Sequence, residues 1–170
     1  MKKKQSGKRS IIPNSYVSQK LKLDISTLEP DFYRADLIIH GLDHSGPSYE
    51  GRVFINNPKA NHETPDDPAE GYTGSYFVFG HGGCLGDEGH CEVNRPPVRF
   101  NMIRNSLIPE KISLIITEKL KELGKSTDEF TITIVPKLAG GSEIACQKDA
   151  DLKNVVLLHK MSIETYDKED

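Results

Sequence analysis

Apolar and polar residues alternate along most of this chain, and this alternation is typical of β-strands with one buried face. Between residues 49 and 55, for example, Tyr49, Val53 and Ile55 fall on one face, while Glu50 and Arg52 fall on the other. Comparable stripes predict further strands at residues 20–25, 33–39, 130–134, 155–158 and 161–165.

Other segments complete the predicted set of strands and helices. Residues 75–79 (SYFVF) are apolar on both faces and predict a central strand, and residues 112–116 predict a buried strand. Thr117 is suited to cap a short helix over residues 118–123, and Pro136 is expected to end the strand before it. About seven strands joined by loops, with one short helix, predict a mainly β protein whose architecture is an antiparallel β-sandwich.

Composition and charge restrict the class of protein further. A chain of 170 residues suits one domain, and 36% hydrophobic with 28% charged residues indicates a globular one. The net charge of −3 shows no dominance of either sign, so neither nucleic acid nor a membrane is expected as a partner. No apolar run has the length of a signal peptide or a membrane span, and we therefore expect a cytoplasmic protein.

The two ends of the chain look like tails. The only strong charge cluster lies at the start, where it has two interpretations: a solvated tail, or an arm that contacts phosphate or anionic lipid. Its members are Lys2, Lys3, Lys4, Lys8 and Arg9. We expect a disordered basic tail at residues 1–15, a single sandwich domain at residues 16–166 and a short tail at residues 167–170.

Several strand motifs resemble the C-terminal β-domain of polyphenol oxidases of the tyrosinase type. The motifs are residues 131–136 (TITIVP), the pair Gly140-Gly141, residues 161–164 (MSIE), residues 49–56 (YEGRVFIN) and Gly74-Ser75 before aromatic residues. The resemblance covers residues 33–166. It implies an immunoglobulin-like sandwich, here as a stand-alone domain. In that family this domain is a lid or shield over the copper domain.

The chain departs from that family where the copper chemistry would be. A tyrosinase-type oxidase carries six copper-ligating histidines on a four-helix bundle, whereas this chain has six histidines but no predicted bundle. His40 and His44 stand four residues apart, but Gly41, Gly46 and Pro47 disfavour a helix there. The resemblance therefore does not carry oxidase activity over to this chain.

One glycine-rich segment concentrates residues that ligate metals. Between His81 and Cys91 lie two histidines, two cysteines and two carboxylates, with five glycines from Gly80 to Gly89. Glycine allows a backbone to fold tightly, and thiolate and imidazole are ligands of zinc and copper. The spacing H-x2-C-x5-H-C predicts a copper or zinc site formed by His81, Cys84, His90 and Cys91. His40 and His44 are further candidate ligands, and Cys146 is another residue able to complete the site.

Other interpretations of these residues remain open at the level of sequence. Cys84 and Cys91 would also suit a disulfide that closes a small loop, or buried thiols in a packed structural loop. Cys91 with His90 or His81 would make a nucleophile and base, and Asp87 with Glu88 would bind Ca²⁺, but neither has supporting spacing. For His40 and His44 the alternative is a hydrogen-bonded turn in which Asp43 accepts from backbone N–H groups.

Three functions follow from these patterns. The first is a non-catalytic accessory domain that binds copper or zinc in the Gly/His/Cys segment. The second is a metal-free interaction module that shields or assembles a tyrosinase-like oxidase partner. The third is a mononuclear metalloenzyme in which Asp87 or Glu88 acts as acid or base, for which the sequence suggests no substrate.

Overall fold

The computed structural model describes residues 11–22, 32–82, 107–123, 129–140 and 152–167. In chain order its elements are β1 Tyr16–Val17, β2 Leu21–Lys22, β3 Arg34–Leu42, β4 Tyr49–Ile55, a 3-10 turn Pro68–Glu70, β5 Tyr72–Val78, β6 Glu110–Ile115, α1 Thr117–Leu123, β7 Glu129–Phe130, β8 Ile132–Leu138 and β9 Lys160–Tyr166. The larger sheet has the order β1-β8-β4-β5, the smaller sheet has the order β6-β3-β9, and β2 pairs with β7. All of these pairings are antiparallel.

The larger and smaller sheets pack around one hydrophobic core. Alternate strand residues supply this core, and those at most 1% exposed include Leu37, Ile39, Val53, Ile55, Ile132 and Ile134. Each such side chain contributes about 1.5–3 kcal/mol when it is fully buried. The helix α1 adds Leu120 to the core, and the backbone N–H of Ala35 on β3 donates to Thr117 Oγ1 at 3.0 Å.

A bulge at Gly41 interrupts the alternation of β3. His40 lies opposite Lys111 and Leu42 lies opposite Glu110, so β3 carries one residue more than β6 at this point. Gly41 has φ +65°, in the left-handed region that favours glycine. The extra residue returns Leu42 to the core, so positions 40 and 44 no longer share the face that they would share in a regular strand.

The loop between β4 and β5 covers one end of the larger sheet on its outer side. Phe54 and Val135 pack there against Ala60 of the loop. Arg52 is 7% exposed and holds the loop, because its guanidinium donates to Asp66 Oδ1 at 2.7 Å and to the carbonyl oxygen of Thr64. This part of the outer face is therefore sealed by the chain itself.

The predicted fold class is confirmed, since the described residues form antiparallel β-strands in a sandwich with one short helix. Pro136 does not end its strand, which continues to Leu138. On that side of β8, β1 pairs only with Thr133 and Ile134, so the missing N–H of Pro136 removes no hydrogen bond to β1.

The segment that was expected to be a central strand with two buried faces is partly exposed. Tyr76 and Val78 of β5 are buried in the core, but Phe77 is 65% exposed. β5 pairs with β4 on one side, and no described strand pairs with its other side. The prediction from residues 75–79 was wrong because an apolar run does not specify which of its faces another layer covers.

Residues just before β1 are bonded to the rest of the domain. The backbone N–H of Asn14 donates to the carbonyl of Lys153 at 2.7 Å, and Ser15 Oγ donates to the carbonyl of Ala60 at 3.0 Å. The folded part therefore includes residues before position 16. In the described part of the chain, no helix has the length and apolarity needed to cross a bilayer.

Candidate functional site

The first residue of the predicted metal segment, His81, is fastened to the turn that follows β3. Its backbone N–H donates to the carbonyl of His44 at 2.9 Å, and the N–H of Gly82 donates to the carbonyl of Gly46 at 2.8 Å. The N–H of Gly80 donates to Ser48 Oγ at 3.0 Å. Three consecutive backbone donors thus hold residues 80–82 against residues 44–48.

Glycine is required at position 80 by this close approach. A Cβ there would overlap the carbonyl oxygen of Gly46 and would lie 2.5 Å from the carbonyl oxygen of Pro47. Both neighbours are backbone atoms, which cannot rotate away as a side chain can. One glycine of the glycine-rich segment therefore has a defined structural role beside the candidate ligands.

His44 and His81 are brought together by this arrangement. Their ring centroids are 5.2 Å apart, and the rings are nearly perpendicular, with an interplanar angle of 86°. His44 is only 9% exposed, whereas His81 is exposed to solvent. A third group, the Glu110 carboxylate at the start of β6, lies 3.4 Å from His44 Nδ1.

The turn at Asp43 is hydrogen-bonded, as in the alternative to metal ligation that the sequence left open for His40 and His44. Asp43 Oδ1 accepts hydrogen bonds from the backbone N–H of Ser45 at 2.9 Å and from Ser45 Oγ at 2.6 Å. The backbone N–H of Asp43 itself donates to the carbonyl of Leu157 at 2.8 Å. A hydrogen-bonded turn and a ligand role for His44 are therefore compatible, because Asp43 shapes the turn on which His44 is carried.

His40 lies on the other side of the smaller sheet, away from this cluster. Its Nε2 is 2.7 Å from Ser162 Oγ, and it stands in register with Lys111 and Lys160 on the two flanking strands. Partial burial lowers the pKa of His40, and the positive charges of Lys160 and Lys111 lower it further, against the opposing effect of Glu164. The spacing of four residues between His40 and His44 therefore does not bring the two imidazoles together.

The lowered pKa of His40 predicts a dependence of stability on pH. Its ordinary pKa is 6.5, so below about that pH the unfolded chain takes up a proton more readily than the folded one. The contribution of neutral His40 to the free energy of unfolding is therefore present above the pKa that His40 has in the unfolded chain. It is lost as pH falls through the lower pKa that His40 has in the folded chain. We expect the free energy of unfolding to fall less between pH 7.5 and pH 5 in His40→Asn than in the unmodified chain.

Urea denaturation at several pH values measures this difference, with His62→Asn in the exposed loop as the matched control. His62→Asn removes a histidine from an exposed loop and so controls for the substitution itself. Parallel curves for His40→Asn and the unmodified chain would contradict the prediction. Ser162→Ala checks whether any change comes from loss of the hydrogen bond alone, because it leaves the imidazole free to titrate.

The predicted ligand set is only partly visible in the structure. His40, His44 and His81 lie in the described residues, whereas Cys84, His90, Cys91 and Cys146 lie outside them. Asp87 and Glu88, named for the Ca²⁺ and metalloenzyme alternatives, also lie outside. Among the described residues no group of three or more His, Cys, Asp or Glu side chains is arranged to hold a metal ion. A metal site at these residues stays a prediction.

Two groups that contact the His44 ring, the Glu110 carboxylate and the Ile108 carbonyl, were not predicted from the sequence. His44 Nε2 is 3.0 Å from the Ile108 carbonyl oxygen, and Nδ1 faces Glu110. A signal for Glu110 was available, because Glu110 alternates with Ile112 and Leu114, whose side chains pack against the core. A carboxylate on the core-facing stripe of a strand is unusual enough to warrant a partner.

The protein is an antiparallel β-sandwich, and His44 is buried at one end of it. Solved structures of the same fold come from polyphenol oxidase. Recombinantly expressed latent aurone synthase (polyphenol oxidase) superimposes with a TM-score of 0.51 and 17% identity, over 95% of this chain and 26% of that one. Latent aurone synthase (polyphenol oxidase) from a natural source gives a TM-score of 0.52 and 18% identity, over 92% and 25% of the two chains.

The resemblance seen in the strand motifs is thus confirmed at the level of fold. This chain spans about a quarter of the length of these oxidases, consistent with likeness to their C-terminal β-domain. No protein-family profile and no curated protein matches the sequence. At 17–18% identity the structural likeness establishes the architecture, and activity has to be argued from the residues.

Proposed function

We propose that this protein is a non-catalytic accessory domain that binds a transition metal, copper or zinc, in its Gly/His/Cys segment. The observation that carries the proposal is the contact between His81 and His44. His81 is the first predicted ligand, and three backbone hydrogen bonds hold its segment beside a buried second imidazole. Two imidazole rings able to ligate a metal, those of His44 and His81, therefore lie where the chain enters the segment that contains Cys84, His90 and Cys91.

The proposed ligand set suits a closed structural site. His81, Cys84, His90 and Cys91 would supply imidazole and thiolate, the ligands that zinc and copper share in proteins. Four protein ligands leave no open position for a substrate. The accessory role therefore fits these residues better than the metalloenzyme alternative.

The test is elemental analysis of protein purified without an affinity metal column, with thermal melts in the presence and absence of a chelator. We expect near-stoichiometric zinc or copper, and a melting temperature that falls by roughly 5–10 °C on chelation. The double variant Cys84→Ser, Cys91→Ser should lose the metal, while His62→Ala should keep it. Unchanged metal content in the double variant, or a metal-free protein that takes up neither ion, would contradict the proposal.

A second candidate function is a metal-free module that shields or assembles an oxidase partner. Two exposed aromatic side chains favour it, Phe77 at 65% and Phe79 at 81% exposure. They line a groove of about 590 Å³ together with Pro47, Leu138 and other residues of the same sheet end. A pure interaction module would contain no metal and would melt at the same temperature with and without chelator, so the same experiment separates the two functions.

A further inference from the structure

Three basic residues lie side by side on the outer face of the smaller sheet. His40 on β3 pairs with Lys111 on β6 and with Lys160 on β9, so the three side chains form one cross-strand row. Directly opposed residues on one face of a sheet have Cβ atoms about 4.5–5.5 Å apart, and like charges at such positions are destabilising. Both lysines are exposed, and His40 is partly buried between them. The register of the sheet therefore concentrates positive charge at this row.

The carboxylates on the same face do not compensate the basic row. Glu164 is four residues from Lys160 along β9, about 13 Å at the spacing of a β-strand, which exceeds the screening length of roughly 8 Å at physiological salt. Asp36 is already bound by the Arg34 guanidinium through two hydrogen bonds of 2.7 Å. The whole chain carries a net charge of −3, so the positive charge of the row is a local feature of the fold.

The basic row also carries hydrogen-bond donors that suit an oxyanion. Ser162, the next outward-facing residue on β9, has its Oγ 2.7 Å from His40 Nε2. Within the described residues, His40 Nδ1 has no hydrogen-bond partner. A protonated imidazole donates through both nitrogens, and each lysine ammonium has three donors and no acceptor. Ammonium, imidazolium and hydroxyl groups on one face together supply the charge and the donors that a phosphate group requires.

We propose that Lys111, His40 and Lys160, with the Ser162 hydroxyl, form a binding site for inorganic phosphate. The site goes beyond the metal-binding function and is independent of it, because the row lies on the opposite side of the smaller sheet from His44 and His81. All four residues that form the site belong to the described part of the chain. A bound dianion would neutralise the like charges that the pairing of β6, β3 and β9 places next to one another.

The test is a titration of the full chain with inorganic phosphate at constant ionic strength, followed by the NMR shifts of backbone amides and imidazoles. We expect saturable shifts confined to the row, with a millimolar dissociation constant. In the double variant Lys111→Gln, Lys160→Gln the affinity should fall by about tenfold or more. The matched control is Lys137→Gln, because Lys137 is an exposed strand lysine whose cross-strand partner is Glu50. This control should bind phosphate as the unmodified chain does.

The contribution of His40 is tested by the pH dependence of anion binding. Sulfate is the probe here, because it stays a dianion over the range in which phosphate itself titrates. Burial lowers the pKa of His40, and neighbouring cationic groups lower it further. The charged groups that act on it are Lys160, Lys111 and His159, with Glu164 acting in the opposite direction. A bound anion favours the protonated imidazole, so sulfate should bind several-fold more tightly at pH 5.5 than at pH 8, and this difference should disappear in His40→Asn.

The possible outcomes decide the proposal without reference to metal content. Phosphate shifts that do not saturate, or that spread over lysines elsewhere on the surface, would mean that the row is an ordinary solvated face and would overturn the proposal. Equal affinity in the unmodified chain and in the double lysine variant would overturn it as well. An unchanged pH dependence in His40→Asn would remove His40 from the site. None of these results bears on the metal-binding function, which the chelator experiment tests separately.

Discussion

Replacing Gly80 by Ala is expected to lower the free energy of unfolding by about 3 kcal/mol and to disrupt the candidate site. The new Cβ would overlap the carbonyl groups of Gly46 and Pro47, so either residues 80–82 or the turn at residues 44–47 must move. That movement breaks the backbone hydrogen bonds from His81 to His44 and from Gly82 to Gly46. Stability is measured by urea denaturation, and Zn²⁺ binding by a competition titration against a chromogenic chelator.

Gly46→Ala is the matched control for Gly80→Ala. It makes the same chemical change on the other side of the same contact, but a Cβ at Gly46 has no atom within 4 Å. Its effect on stability should stay within about 0.5 kcal/mol. If the two variants are equally stable and bind Zn²⁺ equally well, then the close approach of these two segments does not hold the site together.

Replacing Gly51 by Ala is expected to have a comparable effect in the centre of the sandwich, also about 3 kcal/mol. Gly51 lies opposite Tyr76 in the β4–β5 pairing, and the phenol ring lies over it. A Cβ at Gly51 would stand 2.7 Å from Cε1 and 2.8 Å from the hydroxyl oxygen of Tyr76. Tyr76 is 6% exposed and packs edge-on against Tyr49, so a shift of its ring would disturb a buried contact.

Urea denaturation measures the loss of stability, and a second substitution tests its cause. In the double variant Gly51→Ala, Tyr76→Leu the smaller side chain gives room for the new methyl group. The loss should therefore be less than the sum of the two single losses, with a coupling of about 1 kcal/mol or more. Gly140→Ala is the control, because a Cβ there meets nothing within 4 Å. Additive losses in the double variant would show that the ring and the methyl group do not collide.

Several strands could be predicted closely because their alternation is a local property of the sequence, although residues 155–158 were predicted as a strand and form none. The stripe from Tyr49 to Ile55 coincides with β4, and the helix expected at residues 118–123 is found at Thr117–Leu123. Less could be predicted for β5 and β8. The exposure of Phe77 and the passage of Pro136 through a strand depend on which neighbour lies beside them, and pairing partners are far away in sequence.

For the candidate site, the sequence indicated residue types and not their geometry. Ligand density singled out His81, and the pair His40 and His44 was named for its spacing. Spacing alone treats those two histidines as equivalent. The bulge at Gly41 separates them, so that His40 bonds to Ser162 and His44 meets His81 and Glu110. A bulge is set by the pairing with another strand, which a single sequence does not display.

The sequence by itself determined that this chain is an antiparallel β-sandwich similar in fold to a polyphenol oxidase domain. The alternation that predicts strands and the short strand motifs both involve residues that are close together in the chain. Only the tertiary structure decided that His44 and not His40 stands beside His81, and that Glu110 joins them. The physical reason is that these contacts join β3, the end of β5 and the start of β6. Hydrogen bonds and packing between distant segments fix their relative positions, whereas neighbouring residues fix only the strands themselves.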